Sequence, residues 1–149
     1  MATTVLTEAL PAESRGRKTS QRSAVLGILG ESTRFRTAQD IYAGLRSQGA
    51  RVGLTTVYRH LQRLADEGVI HSVQMPDRQT AYRLCSADRH HHLVCTVCGA
   101  AVEFPGDELE SWVEGEAERW GYSRVTHNVE IFGTCPACSG TAKGSGRES

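Results

Sequence analysis

The chain has 149 residues, of which 39% are hydrophobic and 23% charged; this suits one ordinary domain or two small coupled ones and excludes a wholly disordered chain. No stretch approaches the roughly 18 consecutive apolar residues of a membrane-spanning helix, and the first residues lack a signal-peptide pattern, so we expect a cytoplasmic protein without a membrane partner. The net charge of zero hides an asymmetry, because residues 1–85 hold 12 Lys and Arg against 7 Asp and Glu, whereas residues 86–149 hold 5 against 10. A basic half joined to an acidic half indicates a polyanion-binding module beside another unit, with a chance distribution of charge as the alternative.

The first half of the chain predicts three helices followed by a β-hairpin. After a flexible lead-in over 1–16, the predicted elements are helices over 19–30, 37–48 and 55–67 and strands over 69–74 and 80–85. Thr37 is the expected N-cap of the second helix, and residues 76–78 (PDR) supply the turn of the hairpin. This order is typical of a winged helix-turn-helix domain, here over 17–85.

The second half predicts a small α/β module over 86–138 and a disordered Gly/Ser/Lys-rich tail over 139–149. Its predicted elements are strands over 93–95 and 101–104, a helix over 107–120 and a final strand over 123–132. One face of that helix is apolar and is expected to be core or a dimer contact: Leu109, Trp112, Val113, Ala117 and Trp120. Glu110 borders this face, whereas Glu114 and Glu118 are expected to face solvent. The predicted fold class is therefore α+β.

The third predicted helix carries a polar and basic face that is typical of a DNA-recognition helix. Its inward stripe is Val57, Leu61, Leu64 and Ala65, and Tyr58 flanks it. The opposite face carries the hydroxyl, amide and guanidinium groups of Thr55, Thr56, Arg59, Gln62 and Arg63. Such groups suit the major groove and its phosphates, although an ordinary solvated face is the alternative. Further candidates for phosphate contacts are Lys18, Arg22, Arg36 and Arg78.

All five cysteines lie within 85–138, which in a reducing compartment indicates metal binding rather than disulfides. Cys95 and Cys98 form one C-x-x-C pair and Cys135 and Cys138 another, with 36 residues between the pairs. Two thiolates on each of two turns complete a tetrahedron, which fits structural zinc. The metal would staple a module too small to be stable by core burial alone.

The fifth cysteine, Cys85, lies between the two halves and is followed by three consecutive histidines. If residues 90–95 are extended, His90 and His92 point to one face and His91 to the other. The first face can join Cys85 in one site and the second can serve another. A solvated histidine run with adventitious metal binding is the alternative.

The motifs resemble those of the ferric uptake regulator (Fur) family, and within it the actinobacterial zinc uptake regulators (Zur), over roughly residues 17–138. The matching segments are TSQR at 19–22, FRTAQDI at 35–41, GLTTVYR at 53–59, YRLC at 82–85, HHHLVCTVC at 90–98 and HNVEIFGTCPAC at 127–138. The resemblance implies a homodimer with N-terminal winged-helix domains and C-terminal dimerisation domains. It also implies that the zinc-loaded dimer binds an A/T-rich inverted repeat in DNA and represses zinc acquisition genes.

The same resemblance implies two to three zinc ions per subunit. The structural site falls on Cys95, Cys98, Cys135 and Cys138, and a regulatory hinge site falls on His71, Cys85, His90 and His92. Close zinc-regulator relatives have Asp at position 71, and the imidazole of His71 is also a competent zinc ligand. A third site falls on His91, Glu110 and His127. Arg89 stands where its remaining histidine is expected, and a guanidinium cannot ligate a metal.

Three other functions are alternatives to a zinc-responsive repressor, and the sequence favours each of them less. A sibling regulator of iron, manganese or peroxide would need a site richer in oxygen ligands than one with Cys85. A zinc enzyme would keep an open metal position, and His127 and Glu130 have the wrong spacing from Cys135 for a zinc deaminase, so neither catalysis nor a small-molecule substrate is expected. A bare zinc-ribbon interaction module would leave the basic first half unexplained.

Overall fold

The computed structural model describes residues 12–85 and 90–140. Its first half is a three-helix unit with a small antiparallel sheet in the strand order β1-β3-β2. The elements are α1 (Ala12–Gly30), β1 (Arg36–Thr37), α2 (Ala38–Ser47), α3 (Leu54–Asp66), β2 (Ile70–Gln74) and β3 (Thr80–Leu84). This is the predicted winged-helix arrangement.

One boundary and one additional strand differ from the sequence prediction of the first half. Helix α1 begins at Ala12, inside the predicted lead-in over 1–16, and residues 1–11 of that lead-in lie outside the described part. Strand β1 was not predicted, because two residues carry no periodicity of their own and β1 exists only by pairing Arg36 with Tyr82 of β3.

Helix α2 begins where the sequence predicted, at the N-cap Thr37. The Thr37 hydroxyl accepts from the backbone N–H of Asp40, and the Asp40 carboxylate accepts from the backbone N–H of Thr37 at 3.2 Å. This reciprocal capping satisfies two of the backbone donors that the first turn leaves unpaired.

The core of the first half consists of apolar residues from all three helices. Val57, Leu61 and Leu64 of α3 are completely buried, as the helical wheel predicted. They pack with Val25, Ile28, Leu29, Ile41, Leu45, Ile70 and Tyr82. Burial of this stripe turns the opposite face of α3 outward.

The second half is a three-stranded sheet with two helices. The elements are β4 (His91–Cys95), β5 (Ala101–Phe104), α4 (Asp107–Arg119), β6 (Glu130–Gly133) and α5 (Pro136–Ser139). The strand order is β5-β4-β6, with β5 antiparallel and β6 parallel to β4. The disordered tail was predicted to begin at residue 139, but Ser139 is the last residue of α5; residues 141–149 of that tail lie outside the described part.

The predicted strand over 123–132 is wrong in its first part. Strand β6 begins only at Glu130, and Arg124 has a φ of 53°, a left-handed conformation that a β-strand does not accept. His127 therefore lies in an irregular segment rather than in mid-strand.

The apolar face of α4 is not core within this chain. Trp112 and Trp120 are 64% and 69% exposed, and none of the α4 residues is buried. Of the two predicted roles for this face, core or dimer contact, the exposure of its side chains is compatible only with the dimer contact.

The two halves share a second small core. Phe35, Val73 and Ala81 of the first half pack with Val94 of β4. The backbone N–H of Phe35 also donates to the carbonyl of Gly99 at 2.8 Å, beside the first C-x-x-C pair. Of the helices in the described part, none combines the length and apolarity needed to cross a membrane.

Candidate metal centres and DNA-binding surface

The four paired cysteines converge on one point, with every pair of Sγ atoms within 4.8 Å. The first pair lies at the end of β4 and in the turn after it, and the second pair lies at the N-cap and in the single turn of α5. The Cys98 and Cys135 Sγ atoms are 3.7 Å apart. Pro136 at the first helical position fixes the turn that presents Cys138 beside Cys135.

The cysteine cluster is electrostatically suited to a cation. The backbone N–H groups of Cys135 and Cys98 lower the pKa of Cys95 to about 6, whereas hydrogen bonds with the thiols of Cys135 and Cys98 raise the pKa of Cys138 to about 12. Four thiols this close resist full ionisation because their negative charges repel. A divalent cation removes that repulsion, and four thiolates form a closed structural zinc site.

A second cluster joins the two halves and consists of His71, Cys85, His90 and His92, with ligand atoms all within 4.8 Å of one another. His71 lies on β2, Cys85 directly follows β3, and His92 lies on β4. The His90 and His92 Nε2 atoms are 3.1 Å apart, and Cys85 Sγ is 3.4 Å from His92 Nε2. These are the residues predicted for the hinge site.

Burial favours the uncharged forms of three hinge residues, namely His71, His92 and Cys85. Desolvation, reinforced by His90 and His71, lowers the pKa of His92 to about 4, and desolvation together with His90 also lowers the pKa of His71. Burial raises the pKa of the Cys85 thiol to about 11. His71 and His92 therefore offer neutral imidazoles with lone pairs for a metal, and binding at Cys85 releases a proton.

Two charged residues that the sequence analysis missed lie beside the hinge cluster. Glu103 of β5 pairs directly with His92 of β4, and its Oε1 is 3.8 Å and 4.0 Å from the Nε2 atoms of His90 and His92. Arg83 of β3 pairs with His71 of β2 and contacts Glu103 Oε1 at 3.2 Å. No sequence signal pointed to Glu103; the pairing of β4 with β5 in the structure places it opposite His92.

A third group brings together His91, Glu110 and His127. Glu110 Oε1 lies 3.3 Å from His91 Nε2 and 3.0 Å from His127 Nε2. Gly106 lies against the His91 ring so closely that a Cβ there would overlap it. The structure thus assembles the three predicted residues, while Arg89 lies outside the described part.

The hinge and third clusters open into one cleft of about 990 Å³ between β4, α4 and residues 122–130. Glu114 and Glu118, expected to face away into solvent, are exposed but line this cleft together with Asp107 and Glu130. A cleft lined by carboxylates raises the local concentration of cations.

The candidate DNA face of α3 is exposed as predicted. Thr55, Arg59 and Arg63 are exposed, Thr56 is half-buried, and Tyr58 is 45% exposed. Arg78 is exposed in the wing turn with a φ of 68°.

Two of the other predicted phosphate-contacting residues, Arg22 and Arg36, already have partners within the domain. Arg22 forms a 2.6 Å ion pair with Glu67, and Arg36 donates to the Ile28 carbonyl at 3.3 Å, so both also hold the domain together. The side chain of Lys18 lies outside the described part.

A winged-helix domain joined to a small α/β domain defines the class of DNA-binding transcription regulators. Residues 13–132 match the Ferric uptake regulator family, and the chain belongs to that family. It is 43% identical over 122 residues to a zinc uptake regulation protein of Mycobacterium tuberculosis, covering 82% of this chain and 94% of the relative.

Solved structures show the same relationship. The crystal structure of FurB from M. tuberculosis, described as a zinc uptake regulator, has 41% identity and a TM-score of 0.54, covering 86% of this chain and 99% of that one. A zinc uptake regulator complexed with zinc and DNA has 25% identity and a TM-score of 0.65, covering 94% and 99%. The predicted fold class, and the predicted likeness to zinc uptake regulators, are confirmed.

Proposed function

We propose that this chain is a zinc-responsive transcriptional repressor which binds an A/T-rich inverted-repeat operator as a zinc-loaded homodimer and represses zinc uptake genes. The observation that carries the proposal is the hinge cluster, because His71 and Cys85 come from the winged-helix sheet and His90 and His92 from the second half. The zinc uptake regulators among its relatives support the choice of zinc. A regulator of transcription acts where the chromosome is, so the proposal places the protein in the cytoplasm.

The cysteine cluster takes the structural role in this proposal. Cys95 ends β4 and Cys98 lies in the turn after it, whereas Cys135 caps α5 and Cys138 lies within it, so the four together close the second half on itself. Since such a site exists only in the folded state, metal binding there contributes directly to the free energy of folding.

The hinge cluster takes the regulatory role. Bound zinc supplies a rigid link among four ligands, and soft thiolate with imidazole is a donor set that zinc prefers over harder cations. With all four ligands engaged, His71 and His92 fix the angle between the two halves. Without them the halves sample more angles, and DNA binding carries the cost of ordering them.

The dimer in this proposal uses the apolar surface of the second half. Val102, Leu93 and Ile131 are in register across the three strands and are 61%, 43% and 41% exposed, and Trp112 and Trp120 are exposed on α4. A continuous exposed apolar row marks an association surface. A second copy of this chain buries this row symmetrically and places two α3 helices for successive major grooves.

The dimer surface is tested by two matched substitutions. Leu93→Asp introduces a charge into the row and is expected to yield a monomer by analytical ultracentrifugation. Leu84→Asp changes a leucine that is equally exposed, at 41%, but lies on the winged-helix sheet, and is expected to leave the dimer intact. Equal oligomeric states for both variants would place the dimer elsewhere.

The central experiment is operator binding titrated with zinc, iron, manganese and nickel. We expect zinc to restore binding at the lowest free metal concentration. Restoration by iron or manganese at lower free concentration would identify a sibling sensor. Zinc-dependent conversion of a substrate by the purified protein would identify an enzyme instead. Neither the cysteine cluster nor the hinge cluster, with four ligands each, leaves the open position that catalytic zinc needs.

Two cysteine substitutions separate the roles of the two clusters. Cys85→Ser is expected to keep the dimer and its unfolding behaviour but to weaken zinc-dependent operator binding. Cys95→Ser is expected to collapse the second half, with loss of both dimer and cooperative unfolding. Normal zinc activation in Cys85→Ser would refute the hinge role, and a stable dimeric Cys95→Ser protein would refute the structural role.

A further inference from the structure

Glu103 is an oxygen donor held at the edge of the hinge cluster. Its Oε1 lies 3.8 Å from His90 Nε2 and 4.0 Å from His92 Nε2, the same range that separates the cluster's own ligand atoms. Its side chain is 32% exposed, so water does not fully compensate its charge. A small movement would make this carboxylate a fifth ligand, which is the kind of donor that iron and manganese prefer.

Arg83 holds the same oxygen. The Arg83 Nη2 atom lies 3.2 Å from Glu103 Oε1, and its side chain is only 10% exposed. The guanidinium also stands 5.9 Å from the centre of the Phe35 ring, which packs edge-on against His92 at 5.1 Å. An ion pair in so dry a place is stronger than the same pair at the surface, because less water screens the two charges.

We propose that Arg83 determines the metal preference of the hinge site by keeping the Glu103 carboxylate out of the coordination sphere. This inference rests on the proposed hinge role and adds a specificity-determining residue to it. With Arg83 in place, the cluster offers one thiolate and three imidazoles, a four-ligand set for zinc. Without Arg83, the half-buried carboxylate loses this guanidinium partner, and a cation in the cluster becomes the strongest attraction on it.

The test uses cobalt(II) as a spectroscopic stand-in for zinc, in protein whose cysteine cluster keeps its zinc. Four-coordinate cobalt absorbs visible light more strongly than five-coordinate cobalt, and a thiolate ligand adds a charge-transfer band. Subtracting the spectrum of the corresponding Cys85→Ser variant isolates the hinge site from the third cluster. Manganese binding is measured in parallel.

In Arg83→Met we expect a weaker, five-coordinate cobalt spectrum and manganese affinity raised by about tenfold or more, since an added oxygen ligand favours the harder ion. Arg83→Met combined with Glu103→Gln is expected to return both readings to those of the unaltered protein. A four-coordinate spectrum in Arg83→Met, or no return in the double variant, overturns the proposal.

Glu103→Gln alone tests the inference even if the arginine variants do not fold. We expect its cobalt spectrum to match that of the unaltered protein, because Glu103 is not a ligand while Arg83 holds it. A changed spectrum would mean that Glu103 already coordinates, which overturns the proposal. If the unaltered protein shows no charge-transfer band that depends on Cys85, the hinge site itself fails, and this outcome is distinct from every failure of the role of Arg83.

Discussion

The contact between the first C-x-x-C turn and the winged-helix half can be tested with two glycines of equal backbone conformation. Gly99 and Gly68 both have a φ of 71°. A Cβ at Gly68 meets nothing within 4 Å, whereas a Cβ at Gly99 overlaps the Phe35 carbonyl oxygen. Alanine at either position bears the left-handed backbone cost, but only Gly99→Ala also disturbs the junction between the halves.

The expected magnitudes differ accordingly. Gly68→Ala is expected to cost about 1–2 kcal/mol of folding stability for the left-handed backbone alone. Gly99→Ala adds the overlap, about 1–3 kcal/mol, and weakens the 2.8 Å hydrogen bond from Phe35 to Gly99, about 1 kcal/mol more.

Urea unfolding of the zinc-loaded protein measures the difference. The midpoint of Gly99→Ala should lie about 1 M or more below that of Gly68→Ala at an unchanged slope. Gly99→Ala should also weaken zinc-dependent operator binding at temperatures where both variants are folded. Equal midpoints would refute the reasoning, because they would show that the turn does not press on Phe35.

Three further predictions concern single features. Gly106→Ala places a methyl group in the His91 ring and should abolish the weakest zinc-binding step in calorimetry, whereas Gly115→Ala on α4, where a Cβ meets nothing within 4 Å, should leave it unchanged; equal titrations would rule out a metal at His91. Burial lowers the pKa of His92 from 6.5 to about 4, so protein that keeps zinc in its cysteine cluster but has an empty hinge site should keep the full contribution of His92 above pH 6.5 and lose about 3 kcal/mol as pH falls to 4. His92→Gln should reduce this loss, and a flat stability profile would contradict the prediction. Removal of Arg59 should weaken binding to all DNA and lower the salt dependence by about one unit, whereas Tyr58→Ala should mainly reduce discrimination between operator and random DNA; the reverse would mean that the helix face is misassigned.

What could be predicted from the sequence is what local spacing encodes. The inward stripe of α3 follows from helical period, the start of α2 follows from the Thr37 cap, and the cysteine cluster follows from paired C-x-x-C turns. Alternation along β4 also separated His91 from its two neighbours, and the structure places them in two different clusters.

What could not be predicted depends on contacts between distant segments. The irregular path before β6 follows from the left-handed Arg124, and nothing in an apolar and polar pattern signals a positive φ at an arginine. Glu103 and Arg83 lie beside the hinge cluster because two separate sheets meet there. Arg83 lies inside the YRLC segment, but no spacing there links it to a metal site, and Glu103 belongs to no quoted motif, so only the assembled strands reveal the role of both.

Phe35 connects the hinge cluster with the turn that carries the cysteine cluster. Its backbone is bonded to Gly99 in the cysteine turn, and its ring packs against the hinge residue His92 and in the shared core with Val94. The next residue, Arg36, opens β1 and is tied to the end of α1 through the Ile28 carbonyl. A change of angle at the hinge, under the proposed function, reaches the helices of the winged domain through the packed Phe35 side chain, one backbone hydrogen bond and one hydrogen bond from the Arg36 side chain. Under the proposed function, ordering by the cysteine cluster prepares the surface on which the hinge ligands close, so that metal at the hinge acts on a junction that is already formed.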